Sequence, residues 1–399
     1  MGVLFLLAVS LPPKWATLHL AGLLLALAML LARREDWRGV ATRTYGLYTG
    51  LWLGPVLIAA LLQHLMNVGM PPSWPELFLL TLRILGIGFG IIVLVQRGWL
   101  RLGQAVFVLL TAMAFHALAG VVQMLSLPDF GITAWRQTRL YGLAGNPNPF
   151  GLFMALTTIL TAGLLRRQPR RSALWVLLGI ALLGVLGSAS RGATLVVVLG
   201  MLLMFPPRTV RLGVFWLTAI GVLSIIYALS GAGPSAASSD NERMLALRFT
   251  LEKIQESPWL GWGVDAYGQL PGRVGPAAPH NMLLDLAVGS GLPVLAAWIV
   301  STVAFATRLY RHKTRDSRLA LILLVAATLG GILEHSLLVS THYRGIWVVL
   351  TALACCTLTD RTQCESGVEP RSVSRKLAAK RMPDRMADEQ PTNIEGGEP

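Results

Sequence analysis

Most of this chain is a succession of apolar runs. Each is close to the ~20 residues that cross ~30 Å of hydrocarbon as a helix. Inside a bilayer no water bonds the backbone, so runs of this kind must close their hydrogen bonds internally, as helices do. That constraint fixes the class before any motif is read: an all-α, polytopic membrane protein. The 399 residues are 54% hydrophobic and 14% charged, which agrees. Spans are expected near 16–32, 45–66, 77–96, 102–126, 149–165, 172–189, 191–206, 211–230, 282–306, 318–340 and 343–359. Met1–Leu11 is a further apolar segment, stopped by Pro12-Pro13, without a charged leader or a small-residue cleavage site. Counted as a short first span, it brings the number to about twelve.

Charge sets the orientation. Arg33, Arg34, Arg38 and Arg43, then Arg97 and Arg101, then Arg166, Arg167, Arg170 and Arg171, then Arg208 and Arg211, then Arg308, Arg311, Lys313, Arg315 and Arg318 fall in alternate connections. With Met1–Leu11 spanning, these lie on one side with both termini and hold most of the 34 Lys and Arg. By the positive-inside rule that side is cytoplasmic. The net charge of +14 therefore reflects insertion topology. The basic residues are scattered over short loops with no aromatic interleaving, which argues against nucleic acid. Residues 1–359 read as one transmembrane domain. The polar tail 360–399 reads as disordered and cytoplasmic. Cys355, Cys356 and Cys364 fall on the reducing side, so no disulfide is expected. No nucleotide-binding motif and no Cys/His zinc spacing is present.

One connection is long. Residues 231–281 form a polar excursion on the predicted outer, periplasmic side. Within it, Ser239–Glu256 reads as an amphipathic helix opened by the capping box Ser239-x-x-Glu242 and ended by Pro258. Met244, Leu247, Leu251 and Ile254 form its apolar stripe, which would lie on the membrane surface or on the span bundle. Arg248 and Lys253 read as a solvated basic face. Arg243, in the first turn, could equally be a site residue. His280 and Asn281 open the next helix. Histidine can take a proton from a hydroxyl near neutral pH, and Asn281 can cap. A capping pair without catalysis is the alternative.

The remaining outer arginines depart from the insertion rule. Arg191 sits in Gly187-Ser188-Ala189-Ser190-Arg191-Gly192-Ala193, a tight reversal between spans. An arginine so close to hydrocarbon is costly, and its guanidinium fork matches phosphate oxygens. Small neighbours permit close backbone approach. Simple snorkelling is the alternative. Arg136 and Arg139 precede the turn Asn146-Pro147-Asn148-Pro149 and could add positive potential, and Arg344 lies at an outer helix mouth. Glu334-His335 reads as a buried pair, and His64 and His116 as packed polar residues. No carboxylates have metal-site spacing. Asp240, Asp265 and Asp285 are isolated candidates.

Together these segments resemble the O-antigen ligase/polymerase superfamily. The resemblance rests on Tyr141-Gly142-Leu143-x-Gly145-Asn146-Pro147-Asn148, the Ser190-Arg191-Gly192 turn, and Arg243 ahead of Pro258-Trp259-Leu260-Gly261-Trp262-Gly263. It continues through His280-Asn281-x-x-Leu284 and Gly289-x-Gly291. It covers roughly 136–345. The first 130 residues match only in hydropathy. The resemblance implies a fold similar to the C-type glycosyltransferases and an inverting, metal-independent glycosyltransferase without cofactor in the bacterial inner membrane. It would act at the periplasmic face on an undecaprenyl-diphosphate-linked glycan, with lipid A-core as the expected acceptor. Carrier-linked repeats (a polymerase) and protein (an O-oligosaccharyltransferase) are the alternatives. Residue by residue it implies catalytic roles for Arg191, Arg243 and His280. Arg136, Arg139, Asn281 and Arg344 are expected to bind substrate. A transporter of the same lipid-linked glycans is the competing class. Against it stand the one-sided long loop and the lack of an internal repeat.

Overall fold

The computed structural model describes residues 27–28, 30–70, 73–125, 139–144, 146–205, 236–264, 266–273, 279, 281–334 and 341–359. At 124, 143, 236–241, 334 and 341–344 it describes the backbone alone. The described residues up to Leu358 belong to one compact unit. The expected spans at 1–11 and 211–230, and the tail 360–399, lie outside the described residues.

Among the described residues every regular element is helical. In chain order they are α1 (Arg34–Arg38), α2 (Val40–Met66), α3 (Trp74–Gln96), α4 (Leu102–Leu125), α5 (Pro147–Leu165), α6 (Ser172–Ser188), α7 (Arg191–Met204), α8 (Ala236–Glu256), α9 (Met282–Ser290), α10 (Leu292–His312), α11 (Arg315–Glu334) and α12 (Thr341–Cys356). Short 3₁₀ turns stand at Gly142–Ala144 and Tyr267–Gln269. Six helices in this set are long and apolar enough to span: α2, α3, α4, α5, α10 and α11, the last over Arg315–Leu333. Three shorter apolar segments are α6, α7 and Gly345–Cys356 of α12. The protein is thus a multi-pass membrane protein, helical throughout its described elements.

The bundle is built around α5. Its side chains from Phe150 to Leu165 are almost all buried, and α4, α6, α7 and α11 pack on it. A helix that is apolar all round belongs in such a central place. Small residues let its neighbours approach. A Cβ added at Gly184 would meet Met154, one at Gly200 would meet Ile159, and one at Gly330 would meet Leu152. In lipid, where helix association draws on close packing, such contacts carry much of the fit.

These pairings also fix direction. Gly151 faces Ser190 and Ala193, and Gly200 faces Ile159, so α5 and α7 run parallel. Leu152 faces Gly330 and Gly163 faces Leu319, so α5 and α11 run antiparallel. Gln63, near the end of α2, reaches Gly289 just before α10 begins, while Tyr48 packs on Phe305 further along α10. The basic connections consequently gather at one end. There Arg97 pairs with Asp36 at 2.5 Å and donates to the Leu31 carbonyl at 2.7 Å. Arg167 pairs with Asp316, and Arg166 donates to the Met204 carbonyl. The other end holds the 139–148 segment, the α6–α7 turn and the long loop.

Three expectations need correction. The expected single span at 282–306 is two helices, broken at Gly291, whose φ of 88° and ψ of 166° lie outside any helical region. The span expected from 45 begins at Val40. The loop helix is described from Ala236, so Ser239 lies inside it and not at its N-cap.

Candidate functional site

The α6–α7 turn is the best-defined part of the candidate site. Ala189 closes α6 in a left-handed conformation, φ 49°. That region is uncommon for a residue carrying a Cβ. Ser190 caps α7, its hydroxyl accepting from the Ala193 N–H at 3.2 Å. Ser188 is buried, and its Oγ lies 3.3 Å from the Ser190 N–H. Small side chains are required here because α5 passes directly behind: a Cβ on Gly151 would lie 3.0 Å from the Ser190 Cβ and 3.1 Å from the Ala193 Cβ. This braced turn carries Arg191 as the first residue of α7, with its side chain exposed. A helix N-terminus adds partial positive charge to the guanidinium, which suits an anion.

The second segment is tied to the same turn. Leu140 N–H donates to the Gly187 carbonyl at 3.0 Å. Arg139 donates through Nε to the Ser188 carbonyl at 2.7 Å and through Nη2 to Asn148 Oδ1 at 2.5 Å. Asn146 caps α5 by accepting from the Asn148 N–H at 2.9 Å. Arg139 therefore braces the turn beside Arg191. This role is not legible in the sequence, because Arg139 bonds a carbonyl 49 residues away. Arg136 lies outside the described residues.

The long loop is organised by two glycine motifs that interlock. Trp262 N–H donates to the Val288 carbonyl at 2.7 Å, Gly263 N–H to Gly289 at 2.9 Å, and Leu292 N–H to Pro258 at 2.8 Å. A Cβ on Gly261 would lie 2.7 Å from the backbone of Gly289, Ser290 and Gly291, and one on Gly291 would overlap the Trp259 carbonyl. The two backbones touch with no room for side chains. Gln63 fastens this clamp to α2, its Nε2 donating to the Leu260 carbonyl at 2.5 Å and the Gly289 carbonyl at 3.3 Å. Met70 N–H adds a bond to the Trp262 carbonyl at 2.9 Å. Gln63 is buried, and the sequence reading passed over it.

Helix α8 packs on α9 and on the clamp. Its inward face is Ala246, Phe249, Thr250, Lys253 and Ile254, with Met244, Leu247 and Leu251 exposed. The expected stripe is thus not the packed face, apart from Ile254. Lys253 lies over the Phe249 and Trp262 rings, pairs with Glu256 at 2.7 Å, and accepts from Trp262 Nε1 at its carbonyl, 2.8 Å away. It is a packing residue and not the solvated cation the sequence suggested. Burial pushes the Tyr267 phenol above its ordinary pKa, while the Thr250 hydrogen bond and Arg273 pull it the other way. Its hydroxyl stays protonated and donates to the Ala246 carbonyl at 3.3 Å. Arg243 is half-buried on α8, and Arg248 is exposed.

Asn281 caps α9 as expected, accepting from Leu283 N–H at 2.9 Å and Leu284 N–H at 3.2 Å. His280 lies outside the described residues, as do Asp265 and His335. Asp285 is buried in the first turn of α9. Arg344 is in the first turn of α12. His116 is buried edge-on to Phe153, as a packed polar residue. His64 is exposed in the last turn of α2, its ring against Trp74. Helices α7 and α9 both pack on α11, and α8 packs on α9. Arg191, Arg139, Asn148, Arg243 and Asn281 thus share the end of the bundle opposite the basic connections. Among the described residues no three His, Cys, Asp or Glu side chains gather as a metal site.

Residues 176–299 match the family described as O-antigen ligase. The segment runs from α6 into α10 and contains Arg191, Arg243, His280 and Asn281, but not Arg136, Arg139 or Arg344. It is narrower than the 136–345 over which the resemblance was read. No curated protein matches the chain.

Proposed function

From an O-antigen ligase domain at residues 176–299, in a family of glycan-transfer enzymes, we propose that the chain transfers a glycan from an undecaprenyl-diphosphate carrier to an acceptor hydroxyl, with lipid A-core as the acceptor. Transfer to a second carrier-linked glycan uses the same chemistry. The reaction takes place at the bundle end that carries Arg191, which is the periplasmic end by the charge asymmetry. The observation that carries the reading is the Arg191 turn. It holds a guanidinium at a helix N-terminus within the matched segment, on a bed too tight for larger side chains.

In the proposed step the acceptor oxygen attacks the anomeric carbon from the face opposite the carrier, giving inversion. The bond from that carbon to the diphosphate oxygen breaks, and the diphosphate leaves with its electron pair. Arg191 and Arg243 stabilise the charge that develops there. His280, one residue before the cap of α9, takes the acceptor proton. Asn281 fixes the start of that helix, and Arg139 holds the turn that presents Arg191. Arg136 and Arg344 add positive potential. The step uses no cofactor and no metal.

The test is an assay with purified full-length protein, a carrier-linked glycan and a lipid A-core acceptor. Transfer that persists in EDTA and is lost in Arg191→Ala and Arg243→Ala, at normal membrane levels, is the expected result. Full activity in either variant removes the diphosphate clamp. Revival of a chelated enzyme by magnesium or manganese replaces the arginine-only account.

A further inference from the structure

Helix α8 shows an apolar stripe that nothing among the described residues covers. Met244, Leu247 and Leu251 are 52%, 36% and 45% exposed, whereas Ala246 and Thr250, on the packed side, are 2% and 0% exposed. The three recur at i, i+3 and i+7, so they lie in one row along the helix. Inward packing is already complete without them, through Phe249 on Tyr267 and Lys253 on Trp262. Leu245 is also exposed, but it lies well round the helix from the row, toward Glu252 and Glu256.

The fold fixes the level at which the C-terminal end of this helix sits. The helix ends at Glu256, and two residues later the Pro258 carbonyl accepts from Leu292 N–H, the first residue of the spanning helix α10. Between them Trp259 is 73% exposed. Trp74, at the start of α3 and at the same end of the bundle, is exposed as well. Exposed tryptophans at helix mouths mark the boundary between lipid and water. Below Trp259, α10 presents Leu292, Ile299, Val300 and Val303 outward, an apolar surface that a spanning helix turns to lipid. Arg248 is exposed beside the row, where an arginine can keep its stem in apolar surroundings and its head among phosphates.

We propose that α8 rests on the bilayer as an interfacial helix, with Met244, Leu247 and Leu251 in the acyl–headgroup boundary and Arg248 at the lipid phosphates. The occupant of the stripe is the phospholipid surface. The contact holds the loop helix that carries Arg243 at the depth of the membrane face. This inference rests on the multi-pass fold and does not depend on the glycan-transfer reading.

The test uses the full chain in nanodiscs of phosphatidylcholine and phosphatidylglycerol. In a background with Cys355, Cys356 and Cys364 replaced by alanine, single cysteines at 244, 247, 251 and 245 carry a fluorescent label. Lipid bearing a shallow nitroxide should quench 244, 247 and 251 severalfold more than 245, and aqueous iodide should do the reverse. Equal iodide quenching at all four sites overturns the proposal, as does protection from both quenchers at the stripe. A second measurement leaves the cysteines native. Benzoylphenylalanine at Leu247, irradiated in membranes, should give a lipid adduct by mass. An adduct of two protein chains, or one confined to the carrier lipid, would assign the stripe to another occupant and overturn the proposal.

Discussion

Replacing Gly291 by alanine tests the clamp that organises the long loop. The residue has φ 88° and ψ 166°, a region essentially reserved for glycine. The added Cβ would also overlap the Trp259 carbonyl and come within 3.0 Å of Leu260 N. That backbone cannot yield easily. Pro258 accepts from Leu292 at 2.8 Å, Trp262 donates to Val288 at 2.7 Å, and Gln63 holds Leu260 from α2. The conformational cost is about 1–3 kcal/mol and the overpacking cost about 1–3 kcal/mol, so the loss should be about 2–6 kcal/mol. Gly179 supplies the control, since it lies mid-helix in α6 with nothing within 4 Å of an added Cβ. Gly179→Ala should gain about 0.5–1 kcal/mol from helix propensity. Both variants can be followed by reversible SDS unfolding of the purified protein in mixed micelles, with glycan transfer measured alongside. Gly291→Ala should unfold earlier and transfer less even where it remains folded. A Gly291→Ala protein as stable as the parent, or a Gly179→Ala protein equally damaged, would refute the reasoning.

Other outcomes follow from the same geometry. Arg191→Lys should lose much of the transfer activity, because a lysine cannot present a bidentate fork to the diphosphate; rates of the purified variant decide it. Ala189→Gly should stabilise the α6–α7 turn by about 1 kcal/mol by relieving its left-handed φ of 49°, while Ala189→Val should lose stability, both read by the same unfolding assay. If His280 is the base it works as neutral imidazole, so the rate should fall as acid protonates the ring, and His280→Ala should lose ~10²–10⁴-fold in transfer while retaining donor binding. Lost donor binding with an unchanged pH profile would make it a phosphate ligand instead. Cysteines placed at Ser235 and Ser372 should react differently with an impermeant reagent in intact cells, the first labelled and the second protected; the reverse would invert the orientation.

The sequence by itself determined the class, because a bilayer leaves apolar runs of this length one way to close their hydrogen bonds. It also determined where helices turn. The Ser190 and Asn281 caps and the Pro258 stop are local chemistry, written in a few adjacent residues. The alternating arginines gave the two ends, and the structure gathers the described ones at one end through the Arg97–Asp36 and Arg167–Asp316 pairs. What the tertiary structure decided is contact between segments far apart in the chain. A hydropathy window sees 282–306 as one span, whereas Gly291 separates two helices where its backbone lies against Trp259 and Leu260. The face of α8 that is buried was not legible either, because Phe249, Thr250 and Lys253 are chosen by Tyr267 and Trp262 and not by periodicity. Gln63 and Arg139 look like an ordinary span residue and an ordinary loop cation. Their roles exist only once Leu260 and Gly289, or Ser188 and Asn148, are brought within hydrogen-bond reach.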